Sequence, residues 1–391
     1  MRVLICGAGI AGLTLAWRLE QIGHSAIVIE RAPHLRDEGY MIDFFGAGYN
    51  AAEAAGLIPD LEAIHYPIDA LTFVNGAGRE RFSLRYHTLR QRLFKDRHFN
   101  FLRGDLERVL HARLTRASTI RFGETVEAID PAPDAVRVRL SGGLEMEADL
   151  LVGADGIRSS MRRLAFGPDA LFVRALGYEM AAFILDGTPD GVPADRFVTL
   201  TLPRRQVTVY PIRGGRTATF FLHEAKTNGD RSDAHRSAAE TLRREYGDMN
   251  WIVPELLRQG QRAPSVLFDQ VEQVRMTRWR AGRIVLLGDA AWCVSPLAGQ
   301  GASMAIAGAC VLADELAAGG TTDAALERYE RRLRPAIERQ QRAAMRIAKW
   351  FVPHDRFHRI VRDSAARLSV SRLAAPVLRR RMAATSTVPG N

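Results

Sequence analysis

The chain has 391 residues, 47% apolar and 25% charged, with 33 Gly and 17 Pro, enough to bury a large core in two or three units and unlike disordered, collagen-like or coiled-coil chains. Its formal charge of +10 is uneven: residues 327–391 hold 16 Lys and Arg against 5 Asp and Glu, and this tail reads as solvated helix faces, with attraction to anions or an acidic surface as the weaker alternative. Cys6, Cys293 and Cys310 are odd in number and lack CxxC spacing, which argues against a disulfide framework or metal site and for a reducing, cytoplasmic compartment.

The first thirty residues predict a β-α-β unit: apolar Val3 to Cys6, a glycine-rich turn, a helix from Ala11 to Ile22, Gly23 as its stop, and a strand from Ala26 to Glu30. No charged leader precedes an apolar segment, so secretion is not expected. Gly7-x-Gly9-x-x-Gly12 allows a tight turn, close approach of a pyrophosphate and helix packing, and Glu30 places a carboxylate for ribose hydroxyls. This motif alone leaves NAD and FAD open.

Gly39 to Gly56 is a glycine-punctuated loop entering a helix, and Leu71 to Phe82 predicts a hairpin around Asn75-Gly-Ala-Gly78. Asn100 to Leu114 predicts strand then helix, with Asp105 as N-cap. Short strands follow over Val126 to Leu140, then an apolar strand from Leu150 to Val152 ending at Gly153-Ala-Asp-Gly156. Alternating strands from Tyr178 to His223 predict an antiparallel sheet. Arg283 to Leu287 is a buried strand leading through a loop to an apolar helix near Gly301. Breaks at Gly288, Asp289, Pro296 and Gly299 keep this region from being a membrane span. Thr322 to Lys349 and Asp355 to Arg381 predict Arg-rich helices, the first kinked or interrupted at Pro335.

Three segments carry a family likeness. Arg103-x-x-Leu106-x-x-x-Leu110, Gly153-Ala-Asp155-Gly156-x-x-Ser159-x-x-Arg162, and Gly288-Asp289-Ala-Ala with Pro296-x-x-Gly299-Gln300-Gly301 resemble, in order and spacing, the signature of class A flavoprotein aromatic hydroxylases. The resemblance implies an α/β fold with a Rossmann-like FAD-binding domain of the glutathione-reductase type from residues 1–70, 98–172 and 265–320. It further implies an antiparallel-sheet substrate domain from 71–97 and 173–264, and C-terminal helices over 321–391. Asp289, ending a strand, suits the ribityl hydroxyls, although a helix-capping Asp fits the same place. Gly299 and Gly301 turn backbone N–H groups and a helix end toward the flavin pyrimidine edge. Arg103 supplies positive charge to the diphosphate or flavin, or forms a surface ion pair. Asp155 lies beside the cofactor groove by the family likeness or only stabilises its turn, with Arg162 supporting it.

The loop from Glu30 to Asp43 resembles that of the tetracycline-inactivating branch of the family. There the arginine matching Arg36 contacts NADPH and the aspartate matching Asp43 lies near flavin, while Arg31 flanks the adenosine part. Two positions depart from many relatives: Trp292 stands for His and Ser303 for Asn. No second GxGxxG is found, so NADPH is expected to bind transiently in a groove.

The expectation is an FAD-dependent monooxygenase. NADPH reduces the flavin, O2 adds at flavin C4a, and the hydroperoxide passes one oxygen atom to an aromatic or polyketide substrate, such as a tetracycline-type antibiotic. No catalytic acid or base is assigned. Substrate is placed between Pro296 and Leu297 on one side and Tyr210 and Phe220 on the other, though alternation leaves open whether these two rings face away. Phe357, Ile360, Val361, Ala365 and Leu368 form an apolar stripe by which a C-terminal helix would cover the pocket. Alternatives are a flavin-dependent reductase or dehydrogenase without oxygen insertion, and a binding protein whose tail meets nucleic acid or an acidic membrane. A monomer without a nucleic-acid partner or an integral membrane segment is expected.

Overall fold

A computed structural model describes the chain except residues 36–39, 116, 226–236, 264, 372–373, 387 and 389–391. The strand Arg2–Cys6 is buried at every residue but the first, the pattern of a strand covered on both faces. Its parallel neighbours are Ser25–Glu30 and Leu150–Gly153; Thr119–Phe122 and Ile284–Leu286 extend the sheet, and the antiparallel Arg280–Ala281 completes six strands among the described residues. The helices Ile10–Gln21 and Gly301–Ala317 pack on each other over this sheet, both lined with buried Ala, Leu and Ile. A small antiparallel sheet is built from Val126–Pro131, Val136–Leu140 and Glu145–Ala148.

The second large sheet runs Leu267–Val274, Val173–Leu185, Arg216–Glu224, Arg205–Ile212, Arg196–Leu202, Ala70–Val74, Glu80–Arg85. It is antiparallel except where Ala70–Val74 lies parallel to Arg196–Leu202. The expected boundary at residue 265 is therefore corrected: Leu267–Val274 is an edge of this sheet. The 13-residue strand Val173–Leu185 has two sides of backbone donors and acceptors to satisfy, and Arg216–Glu224 fills only one. Period-two alternation sends Phe221, Val207, Val209 and Val198 to one face, covered by helices Ala238–Tyr246 and Val253–Gly260. Tyr210, Ala218, Phe220 and Leu222 lie on the other face.

Three expectations about helices are corrected. The helix Arg103–Ala112 begins with Leu102, not Asp105, as its N-cap; Asp105 sits in the first turn and pairs with Arg108, where an acid still complements the helix dipole. Thr322–Phe351 runs unbroken through Pro335, held by Leu333, Ala336 and Ile337, all buried, so packing outweighs the lost backbone bond. The stripe on Arg356–Ser369 points away from the protein: Phe357 is 70%, Ile360 55% and Leu368 61% exposed, whereas Arg362 and Asp363 are buried. Arg362 bonds Asp363 and the Thr201 hydroxyl and lies 5.2 Å over the Phe73 ring, and Arg81 pairs with Asp363 at 2.5 Å. This buried ionic cluster, invisible to periodicity, decides which face docks.

Candidate active site

The glycines of the first turn are each needed by geometry. Gly7 has φ +109°, and a Cβ there would run into the Ala154 carbonyl and lie 2.9 Å from the Asp155 Cα, so only glycine lets the first and fourth parallel strands meet at this turn. A Cβ on Gly12 would strike the Gly7 carbonyl. Glu30 accepts from the Ala8 and Ala32 N–H groups, both at 2.8 Å; each carboxylate oxygen keeps a lone pair, so the acid is fixed in place at the mouth of the turn. Arg31 beside it is exposed. Arg36 lies outside the described residues.

At the second turn, Asp155 accepts from Ser159 Oγ at 2.5 Å, Ser160 Oγ at 2.9 Å and Met161 N at 3.0 Å. It ties down its own turn directly behind Gly7. Arg162 does not support Asp155. Fully buried, it donates to the Ala290 carbonyl at 2.9 Å, the Ile157 carbonyl at 2.7 Å and Asp169, and so anchors the turn that carries Asp289. Gly288 there has φ +66°, with its Cβ position 3.0 Å from Ala11, which brings Asp289 beside the first helix. Burial pushes the Asp289 carboxyl above its ordinary range, opposed by the Arg103 charge and a bond from the Cys293 thiol.

Arg103 connects the two halves. Its Nε donates to Glu107 at 3.0 Å and its Nη2 stands 3.7 Å from where a Gly9 Cβ would be. The same side chain lines a cleft of about 340 Å³ with Tyr40, Ile184, Tyr210, Ala218 and Leu267. Tyr210 Oη accepts the Met41 N–H at 2.8 Å, and burial pushes its phenol well above the ordinary value. Phe220 stands 6.4 Å from the Tyr40 ring and packs in an apolar cluster with Leu297, Met180, Leu222 and Val352. Both aromatics therefore face the first domain. Pro296 opens the short 3-10 turn that presents Leu297, after Ser295, a non-glycine residue held at φ +140°. Strain of that kind persists only where the surroundings enforce it.

Gln300 caps the Gly301–Ala317 helix, is itself only 3% exposed, and neither polar atom of its side chain has a partner among the described residues. Buried amides are rarely left unpaired, so this spot fits a polar ring edge laid against the helix end. A Cβ on Gly299 would come 3.9 Å from the Asp43 carboxylate, and Asp43 is bonded by the buried His98 Nε2 at 3.1 Å and by Tyr86 Oη at 3.3 Å. The glycine cradle, the poised Glu30 and the orphaned Gln300 amide all fit a flavin dinucleotide.

The FAD binding domain family matches residues 1–344. The chain is an FAD-dependent monooxygenase of that family. It is 32% identical over 331 residues to the aurachin C monooxygenase/isomerase of Stigmatella aurantiaca, covering 84% of each chain. It is 27% identical to a flavin-dependent monooxygenase of Legionella longbeachae over 91% of this chain and 90% of that one. Among solved structures, the tetracycline destructase Tet(51) superposes with a TM-score of 0.83 at 25% identity, covering 100% of this chain and 99% of the other. Class A flavoprotein monooxygenases thus share its mixed α/β fold.

In the monooxygenase the two departures are packing residues. Trp292 is buried against Trp279 at 4.7 Å and near Tyr329 at 6.0 Å, on the side of the long helix. Ser303 accepts the Phe45 N–H at 3.2 Å, and Gly48 packs directly on it, an approach a larger side chain would resist. Tyr40, Tyr86 and His98 are the site residues that motif reading missed. Tyr86 and His98 lie in chain segments remote from Asp43: the antiparallel pairing of Met41–Phe45 with His98–Leu102 brings His98 there, and Tyr86 comes from the turn after the strand Glu80–Arg85.

Proposed function

We propose that this monooxygenase inserts one atom of O2 into an aromatic or polyketide substrate, of which a tetracycline-type phenolic polycycle is an instance, with NADPH as reductant. The observation that carries the reading is Arg103, one side chain that borders both the dinucleotide turn and the cleft under the second sheet. FAD bound there would supply the hydride acceptor and the centre for O2 activation. Glu30 holds the adenosine ribose, Asp289 the ribityl chain, and the Gly299–Gly301 turn with its helix end favours negative charge at the pyrimidine edge. Arg31 flanks the adenosine, Arg36 meets NADPH, and Asp155 keeps the Gly7 turn in shape.

Tyr210 retains its proton at Oη, because burial disfavours the phenolate by more than the bond accepted from the Met41 N–H favours it; that proton is available to a phenolic oxygen of the substrate. Leu297, Phe220, Leu222 and Val352 keep water from the reacting centre, which protects against loss of reducing equivalents as peroxide. The enzyme works in the cytoplasm, consistent with three buried thiols among the described residues and with no described helix long and apolar enough to cross a membrane.

The test is NADPH oxidation by the yellow holoenzyme across phenols, quinolones and tetracyclines, with labelled O2 and mass analysis of product. Incorporation of one labelled oxygen is expected. Substrate-dependent NADPH oxidation that leaves the product without label would instead establish a reductase or dehydrogenase.

A further inference from the structure

A surface helix normally turns its apolar stripe inward. Arg356–Ser369 does the reverse: it is clamped by the buried Arg362, Asp363 and Arg81 cluster and stacks Arg367 over the Phe82 ring at 4.7 Å. Its outward face presents Phe357, Ile360, Val361 and Leu368 at spacings of three, four and seven residues. The helices before and after it in the chain also expose apolar side chains, Trp350 at 45% and Val377 at 57%. Isolated exposed apolar residues are ordinary; a contiguous helical stripe of them marks an interaction face.

We propose that this face docks the enzyme onto an anionic lipid surface, with the helix lying in the interface plane. Charge selects the occupant. Residues 342–391 hold 11 Lys and Arg against 2 Asp and Glu, and Arg346, Arg356 and Arg380, one on each of the three C-terminal helices, are exposed. A second copy of the same face would oppose like charges, whereas acidic headgroups complement them and acyl chains take the apolar residues. Val352, next in sequence to the exposed Phe351, is buried in the apolar cluster that holds Leu297 and Leu222. The proposal does not depend on which substrate is oxygenated.

The experiment is flotation of the FAD-loaded full chain with vesicles of phosphatidylcholine alone or mixed with phosphatidylglycerol, over a range of salt. Wild type is expected to float with the anionic vesicles only, and less as salt rises. Phe357→Ser/Ile360→Ser/Leu368→Ser is expected to lower partitioning by about tenfold or more, and Arg356→Gln/Arg380→Gln by about fivefold per charge removed, both with flavin absorbance unchanged. Should the apolar variant lose its flavin, the arginine variant decides. Absence of flotation, equal flotation with neutral vesicles, or flotation untouched by both variants overturns the proposal. So does a wild-type dimer in sedimentation equilibrium that these substitutions dissociate, which would assign the face to a second copy.

Discussion

Replacing Arg162 by Met tests whether this fully buried side chain positions the cofactor turn. Met keeps most of the stem and removes the guanidinium, leaving the Ala290 and Ile157 carbonyls without the donors they have at 2.9 and 2.7 Å. An orphaned buried acceptor costs about 1–3 kcal/mol. Asp169 adds less, because it stays paired with Arg163 at 3.1 Å and is partly solvated. The sum is about 3–6 kcal/mol of lost stability. Urea unfolding followed by the fluorescence of the buried Trp279 and Trp292 would read it. Because Ala290 adjoins Asp289, flavin affinity should fall by about tenfold or more in the fraction still folded, measured by quenching of FAD fluorescence. Arg162→Lys, which keeps a charge but not the planar fork, should recover only part of either loss. An Arg162→Met protein with the parental urea midpoint and FAD affinity would refute the positioning role.

Asp289→Ala should weaken FAD binding by about tenfold to a hundredfold, the worth of a charge-assisted hydrogen bond, in the same titration. Gly7→Ala should yield colourless protein, since its Cβ has no room against Ala154 and φ +109° is strained for alanine; a flavin-replete Gly7→Ala preparation would contradict the cradle. His65 is pushed down to about 4 by burial, with Arg90, His98 and Arg213 acting in the same sense and the Asn100 backbone opposing. The unfolded chain therefore binds this proton first, so stability should decline as pH falls from about 6.5 toward 4. His65→Gln should flatten that slope in urea titrations at stepped pH. Cys6, Cys293 and Cys310 are buried with thiols held well above their ordinary value, Cys310 at about 12, so a thiol-reactive dye should label none until denaturant is added.

What could be read from the chain alone was whatever neighbours in sequence determine. The turn from Gly7 to Gly12 and the glycines around Asp289 are local solutions to steric problems, and they stand where spacing put them. The role of Arg162 was misread because its partners, Ala290 and Asp169, lie on either side of a long chain excursion. Alternation could say that Tyr210 and Phe220 share a face only once the register Tyr210↔Ala218 was known. The C-terminal stripe has an ordinary amphipathic pattern, yet the docked face is chosen by an ion cluster involving Arg81, nearly three hundred residues away. Leu267–Val274 carries no local sign of its sheet; its place follows from an unsatisfied strand edge.

The double duty of Arg103 has a thermodynamic corollary. If the occupant of the turn and the occupant of the cleft both meet this guanidinium, which lies beside Gly9 and lines the cleft, their affinities are linked. Whatever factor a guest molecule adds to the grip on the dinucleotide, the dinucleotide must return to the guest. Titrating FAD into guest-saturated and guest-free apoprotein, and the guest into both flavin states, therefore yields four dissociation constants that close a cycle. A ratio away from unity would be shared equally by both legs.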